Sequence, residues 1–305
     1  MDEFRNILVG VDINASGELA EGAGAAIAQA RLIAQETGAA ISFVHVIDVP
    51  AEVGEVMSLQ PQSAVAARQR DVSGLLDELA SDTRASNTRG RVLFGTHWRA
   101  LLDEVQHEQH DLVVIGTRGR GVAGRALFGS TGNRLLRHCP CTVWVVKPCA
   151  NERYANILVA HDLSPVGDAA LRLGACIANI QNSRLHVLHV LEYPEEARFL
   201  GSITAAEIAR REAEARDTLV CQCRNLGLKV PAEIVIANGS AHTEILNYVG
   251  DHGSDLLCMG TLARSGVPGL VTGNTAENVL PWVKCSLIAL KPEGFVSLLK
   301  AHERA

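Results

Sequence analysis

The chain predicts two tandem Rossmann-like α/β domains, each a doubly wound five-stranded parallel sheet of order 3-2-1-4-5, on three observations. The sequence repeats: Asn6-Ile7-Leu8-Val9-Gly10-Val11-Asp12 returns as Asn156-Ile157-Leu158-Val159-Ala160-His161-Asp162, Asp111-Leu112-Val113-Val114-Ile115-Gly116-Thr117 as Asp255-Leu256-Leu257-Cys258-Met259-Gly260-Thr261, and Cys141-Thr142-Val143 as Cys285-Ser286-Leu287. Short apolar runs alternate with longer segments of helical period, as in βαβ units. Runs such as Leu112-Val113-Val114-Ile115 lack polar alternation, so their strands are expected to be buried on both faces.

Taken in order, the first half reads strand 5–12, helix 20–37, strand 40–47, helix 63–86, strand 91–94, helix 99–109, strand 111–116, helix 130–138 and strand 141–147. The second half carries the corresponding strand runs 156–161, 184–191, 229–236, 255–260 and 285–291. Domains of 1–148 and 154–293 follow, with a short polar linker Cys149–Tyr154 between them and a tail 294–305. From 6 to 156 is 150 residues and from 111 to 255 is 144, so the first copy has six extra residues between Asp12 and its second strand. They fall in the loop Ile13–Gly22, at a strand end where open α/β sheets bind ligands. Each half closes on an apolar strand, with Trp144 on one and Leu287-Ile288 on the other, and pairing of these two edges into a pseudo-dimer is expected, the alternative being that each edge is covered by its own loops or helices.

At 305 residues the chain can fill two self-sufficient cores. Its net charge of −6 divides evenly between the halves without a basic tract, which disfavours nucleic acid or an anionic membrane as partner. The start is acidic and no run of 18 apolar residues occurs, so a soluble cytoplasmic protein without membrane insertion is expected. The eight cysteines read as free thiols, mostly small core residues. Cys139-Pro140-Cys141 and Cys221-Gln222-Cys223 are C-x-C pairs rather than C-x-x-C, so a metal site is disfavoured even with His138 beside the first pair.

The segment with chemical content is Gly116–Thr131, which reads G-x2-G-x9-G-[ST]. Glycine at 116 and 119 allows positive φ and a close ligand approach. Gly129-Ser130-Thr131 opens a helix whose unpaired amides form an anion site, to which either hydroxyl can add a donor. Loops after strands need glycine in any case, and Ser130 also fits as an N-cap. Asp12, ending the first strand, suits a nucleoside contact or an Asx turn equally. Arg118, Arg120 and Arg125 are candidate phosphate contacts.

These residues resemble the universal stress protein family, here in tandem: the strand ending in Asp12, the Val44-His45-Val46 strand, the glycine pattern and the Cys141-Thr142-Val143 strand all match. The resemblance implies ATP or AMP, with or without Mg2+, and dimer-type association through the last strand, including a homodimer. By position it implies adenine contacts from Val46, nucleoside contacts from Val11, Asp12, Ile115 and Gly116, and phosphate contacts from Gly119, Gly129, Ser130 and Thr131. The second half keeps Asp162, Val190, Gly260, Gly273, Asn274 and Thr275 as a weaker site, but puts Ala263 where the first has Gly119. If that position needs left-handed φ, alanine costs about 1–2 kcal/mol, or roughly tenfold in affinity. An occupied first site and a weak or empty second one are expected.

The leading expectation is a stress regulator that responds to nucleotide without needing catalysis. There is no Walker A lysine motif, no SGGxDS loop and no carboxylate in the glycine loop, which leaves slow hydrolysis open but not a fast enzyme. His97, His107 and His110 read as helix-surface residues rather than bases. The alternative is a scaffold whose clefts take an apolar molecule or protein segment, suggested by charge-poor stretches Pro50–Ala67 and Tyr193–Ala206 over the mouths of the sheets, although a lid over bound ATP would look the same and is the preferred reading of them.

Overall fold

Ile7, Leu8 and Val9 are consecutive and all at 0% exposure, as are Leu112, Val113 and Val114, so helices cover both faces of these strands in the computed structural model. The structure describes residues 4–60, 62–83, 85, 87–117, 128–148, 153–193, 204–261, 274–292 and 295. These fall into two units, 4–148 with 295 and 153–292.

In the first unit the order is β1 (Asn6–Gly10), α1 (Glu21–Thr37), β2 (Ala40–Ile47), α2 (Ala51–Ser58), α3 (Ala64–Ser81), β3 (Thr88–Phe94), α4 (His97–His107), β4 (Leu112–Gly116), α5 (Gly129–His138) and β5 (Thr142–Val146). Its strands run parallel in the order β3-β2-β1-β4-β5, with Ile7 opposite Ile41 and Leu112. The second unit has β6 (Asn156–Ala160), α6 (Pro165–Gln181), β7 (Arg184–Leu191), α7 (Ala205–Arg224), β8 (Glu233–Asn238), α8 (Ala241–Asp251), β9 (Leu256–Gly260), α9 (Asn274–Val279) and β10 (Ser286–Leu290). It repeats the parallel arrangement as β8-β7-β6-β9-β10. Both are therefore 3-2-1-4-5 sheets, as the sequence predicts.

The repeat extends to small devices. Helices α1 and α6 bury a face rich in alanine and end on left-handed caps at equivalent places, Gly38 (φ 73°) and Asn182 (φ 60°). Asp111 accepts the backbone N–H groups of Arg5 (2.7 Å) and Asn6 (3.1 Å), and Asp255 those of Ala155 (2.7 Å) and Asn156 (2.9 Å). Each carboxylate thus ties the entry of its first strand to the entry of its fourth.

Five expectations are corrected. Strand β3 starts at Thr88 rather than 91. Strand β8 spans 233–238 rather than 229–236, because Pro231 has no N–H for a ladder. Helix α3 stops at Ser81, with Asp82 as its C-cap. The charge-poor stretch after Pro50, where no helix is expected before 63, contains the helix α2. Tyr154 is core rather than linker: it is 2% exposed, and its backbone bonds Gln181 Oε1 and Ser183 Oγ.

Candidate functional site

At the switch point between β1 and β4, where neighbouring crossovers leave on opposite faces, a hollow of 260 Å³ opens at the carboxyl ends of the strands. It brings together Val11, Asp12, Val46, Ile115, Gly116, Gly129, Ser130 and Thr131, eight of the nine residues singled out for the first half. The ninth, Gly119, lies outside the described residues, as do Arg118, Arg120 and Arg125. An adjoining hollow of 680 Å³ shares Asp12, His45, Val46, Asp48 and His97 with it, so the two form one groove.

The backbone explains the opening. Pairing of β2 with β1 ends at Gly10 opposite Val44, with one further bond from Val11 N–H to Val44 O (2.8 Å). Strand β2 runs on to Ile47, so beyond that bond it has no β1 ladder beside it. Where the next ladder bond would reach Val11 O, His45 Nδ1 lies 2.8 Å away instead. A carbonyl only accepts, so Nδ1 carries the proton and Nε2 is left as an acceptor. Burial lowers the His45 pKa, outweighing the hydrogen bond that raises it, so the ring is neutral near pH 7. Val11 is 3% exposed with both backbone groups engaged, which makes it a support for Asp12 more than a contact surface.

At the other end, α5 begins without a side-chain cap on its amides, and Ser130 is exposed. Gly129 has φ +70°, and a Cβ added there would meet nothing within 4 Å, so this glycine serves the left-handed turn into the helix. An uncapped helix start of this kind favours an anion. Lys147 Nζ lies 5.4 Å from the ring centre of Phe128, another lining residue.

Gly116 has a different reason from the one its sequence suggests. It is absent from the positive-φ residues, and a Cβ there would sit 2.0 Å from the carbonyl oxygen of Gly22. A Cβ on Gly22 would in turn sit 2.0 Å from Thr117 O. The pair lets the start of α1 lie against the end of β4, backbone to backbone. The six-residue insertion folds as a small loop on the groove's rim: Ile13 bridges Leu19, and Arg68 of α3 donates to Asn14 O (2.8 Å) and Ile13 O (3.3 Å).

Sequence reasoning missed His45, Asp48 and Phe128 as lining residues and set His97 aside as helix surface, although it lines both hollows. His107 is exposed as expected. His110 is 4% exposed, not a surface residue, because the chain turns inward there to enter β4.

In the second unit His161 takes the place of Val11. Leu163 N–H donates to its Nδ1 (2.9 Å), so its proton is on Nε2, 3.2 Å from Asp168 Oδ1. Burial is the largest influence on this ring and lowers its pKa against the pull of Asp168. Asp162 caps its own turn, accepting from the backbone N–H (3.1 Å) and hydroxyl of Ser164. Gly260 here makes room for the Val166 side chain, and Val190 is half-buried on β7. Asn274 and Thr275 open α9, while Gly273 and Ala263 lie outside the described residues. Among the described residues the cysteines are free thiols, no group of three His, Cys, Asp or Glu gathers to hold a metal, and no helix is long and apolar enough to cross a membrane.

Fold and groove define a tandem doubly wound α/β protein with a crevice at the first unit's switch point. The profile of the universal stress protein family matches residues 3–147 and 153–291, and the chain belongs to that family. It is similar to universal stress protein E of Photorhabdus laumondii, 25% identical over 67% of this chain and 68% of that protein. Universal stress protein E of Escherichia coli K12 is 23% identical over 97% of this chain and 96% of its own length. The fold matches a solved structure from Pseudomonas aeruginosa UCBPP-PA14, with TM-score 0.70, 22% identity and coverage of 96% and 95%. It also matches a universal stress protein from Archaeoglobus fulgidus, with TM-score 0.59, 16% identity and coverage of 94% and 98%.

Proposed function

We propose that the first unit binds ATP or AMP in this groove and that the protein acts as a cytoplasmic regulator in the stress response through nucleotide-dependent conformation or association, with little or no catalysis. The observation that carries the reading is the meeting of Asp12 and the open edge of β2 at one end of a hollow with the uncapped start of α5 at the other. Adenine would lie along Val46, ribose beside Asp12 and phosphates against Gly129, Ser130 and Thr131. Any Mg2+ would enter on the phosphates, since the described residues gather no three-ligand set of their own. Association through the apolar last strands, within or between chains, belongs to the same proposal.

Isothermal titration with ATP and with AMP tests it. Binding that drops at least tenfold in Asp12→Ala supports the site, and an absence of heat with either nucleotide defeats it. The second reading, a scaffold for an apolar ligand or segment, has its own observation: Val53, Val56 and Leu59 are exposed at 45%, 59% and 83% on and just after α2. It gains if nucleotide gives no heat while a fatty acyl probe does.

A further inference from the structure

From the second strand onward the halves repeat at an offset of 144 residues, so each place there has a counterpart in the other unit. Where α4 covers β2 and β3 in the first unit, two guanidinium groups fill the space. Arg89 donates to Ser42 Oγ (2.9 Å) and pairs with Glu108 (2.7 Å). Arg91 pairs with Glu104 (2.9 Å) and Glu108 (2.7 Å), and Glu104 is only 5% exposed.

The second unit has exchanged all five residues. Glu233 and Val235 stand for Arg89 and Arg91, His186 for Ser42, Tyr248 for Glu104 and His252 for Glu108. Among the described residues no arginine or lysine lines the place, and it is a cavity of 330 Å³. Leu188 and Val235 give it apolar surface, while Glu233, Glu244 and Asp251 contribute carboxylates. One wall is aromatic: the Tyr248 and His252 rings stack at 3.8 Å and 9°, and the Tyr248 hydroxyl is fixed 3.0 Å from His186 Nδ1.

We infer that this cavity binds a small guanidinium compound, which takes the place that the arginine side chains occupy in the first unit. Two separate observations point to that class of ligand. The same fold position pairs guanidinium groups with carboxylates in the other copy, and here both arginines and both of their glutamate partners are exchanged while Glu233, Glu244 and Asp251 bring carboxylates from positions that are Arg89, Ala100 and His107 in the first unit. A planar cation also finds a stacked ring pair to lie against, a contact that a guanidinium makes well. Anions would meet three carboxylates, and a metal ion lacks a three-ligand group among the described residues.

The experiment is a calorimetric titration of the full chain, without nucleotide, using agmatine as the probe. Expected is saturable binding of one equivalent that weakens about fivefold in Glu233→Gln, the scale of one partly exposed charge pair. Val235→Arg, which restores the first unit's residue and fills the cavity, should abolish binding while thermal unfolding stays cooperative. The inference is overturned by an absence of saturable heat, by binding that survives Val235→Arg, or by equal affinity in Glu233→Gln. Since the site lies wholly in the second unit, its failure leaves the nucleotide proposal untouched.

Discussion

At the scale of single residues, glycines with one apparent role separate into two. Gly22 and Gly116 serve packing, each lacking a Cβ that would strike the other segment's backbone at 2.0 Å. Gly129 serves conformation, with a φ of +70° and open space on its Cβ side. Gly22→Ala is therefore expected to lose about 3 kcal/mol in urea unfolding, at the upper end of overpacking because backbone rather than a movable side chain is struck. Gly129→Ala should cost about 1–2 kcal/mol through left-handed φ alone. Titration should also show weaker ATP binding, since relief of that strain displaces the start of α5. A second residue-scale prediction concerns His110, whose pKa burial pushes down to about 4, against a smaller opposing pull from the Asn6 backbone. With the folded pKa below the unfolded value of 6.5, the unfolded chain takes up the proton first as pH falls. The stability at stake is fully present above pH 6.5 and is lost between there and pH 4, up to about 3 kcal/mol. His110→Phe should remove this part of the pH dependence, so that wild type and variant diverge in urea unfolding between about pH 7.5 and pH 4.5. Parallel curves across that range would contradict the assignment.

Among the elements, the recurring tie between fourth-strand and first-strand entries sets a matched pair of expectations. Asp111→Ala leaves the Arg5 and Asn6 amides without their acceptor, and Asp255→Ala does the same to Ala155 and Asn156. Each should cost about 2 kcal/mol, the range for losing hydrogen bonds to a charged group. Thermal melts of the two single variants should shift by similar amounts, and a large inequality would show that the repeated geometry is not repeated in energy. The elements most legible in the sequence are those whose residues are buried on both faces. Strands β1, β2, β4 and β9 are unbroken apolar runs or nearly so, and their ends fall close to where the run stops. The start of β3 is hidden because Thr88-Arg89-Gly90-Arg91 looks like loop, although its arginines pair with carboxylates of and just after α4. Helix α2 is hard to read because Gly54 is its one buried position, so no periodic stripe marks it. In the groove, the glycine pattern and Asp12 stand out locally. His45 and Asp48 come from the end of β2 and the residue after it and His97 from the start of α4, and they line one groove only once β2 overruns β1 and α4 starts beside it.

For the whole molecule, two copies of one fold differ in what they keep open. The first unit leaves its switch-point groove accessible and closes the α4 face with arginine–glutamate pairs, while the second opens the corresponding α8 face and engages its switch-point residues with one another. His161 fills the position of Val11 and faces Asp168, and the Asp162 carboxylate is held by Ser164 in the turn that starts α6. To contact a ribose there, Asp162 would first give up its hydrogen bonds from the Ser164 backbone N–H and hydroxyl, a loss of about 1.5 kcal/mol for bonds to a charged acceptor. Together with about 1–2 kcal/mol for Ala263 if its position needs left-handed φ, the second site should be weaker than the first by at least tenfold. Equilibrium dialysis against labelled ATP is expected to saturate at one nucleotide per chain in the micromolar to submillimolar range, with a second equivalent only at much higher concentration. Asp12→Ala should remove the first equivalent and Asp162→Ala should leave it unchanged. Two equivalents of matched affinity, or a first equivalent that vanishes with Asp162, would mean that the divergence at 161 to 168 does not govern where the ligand goes.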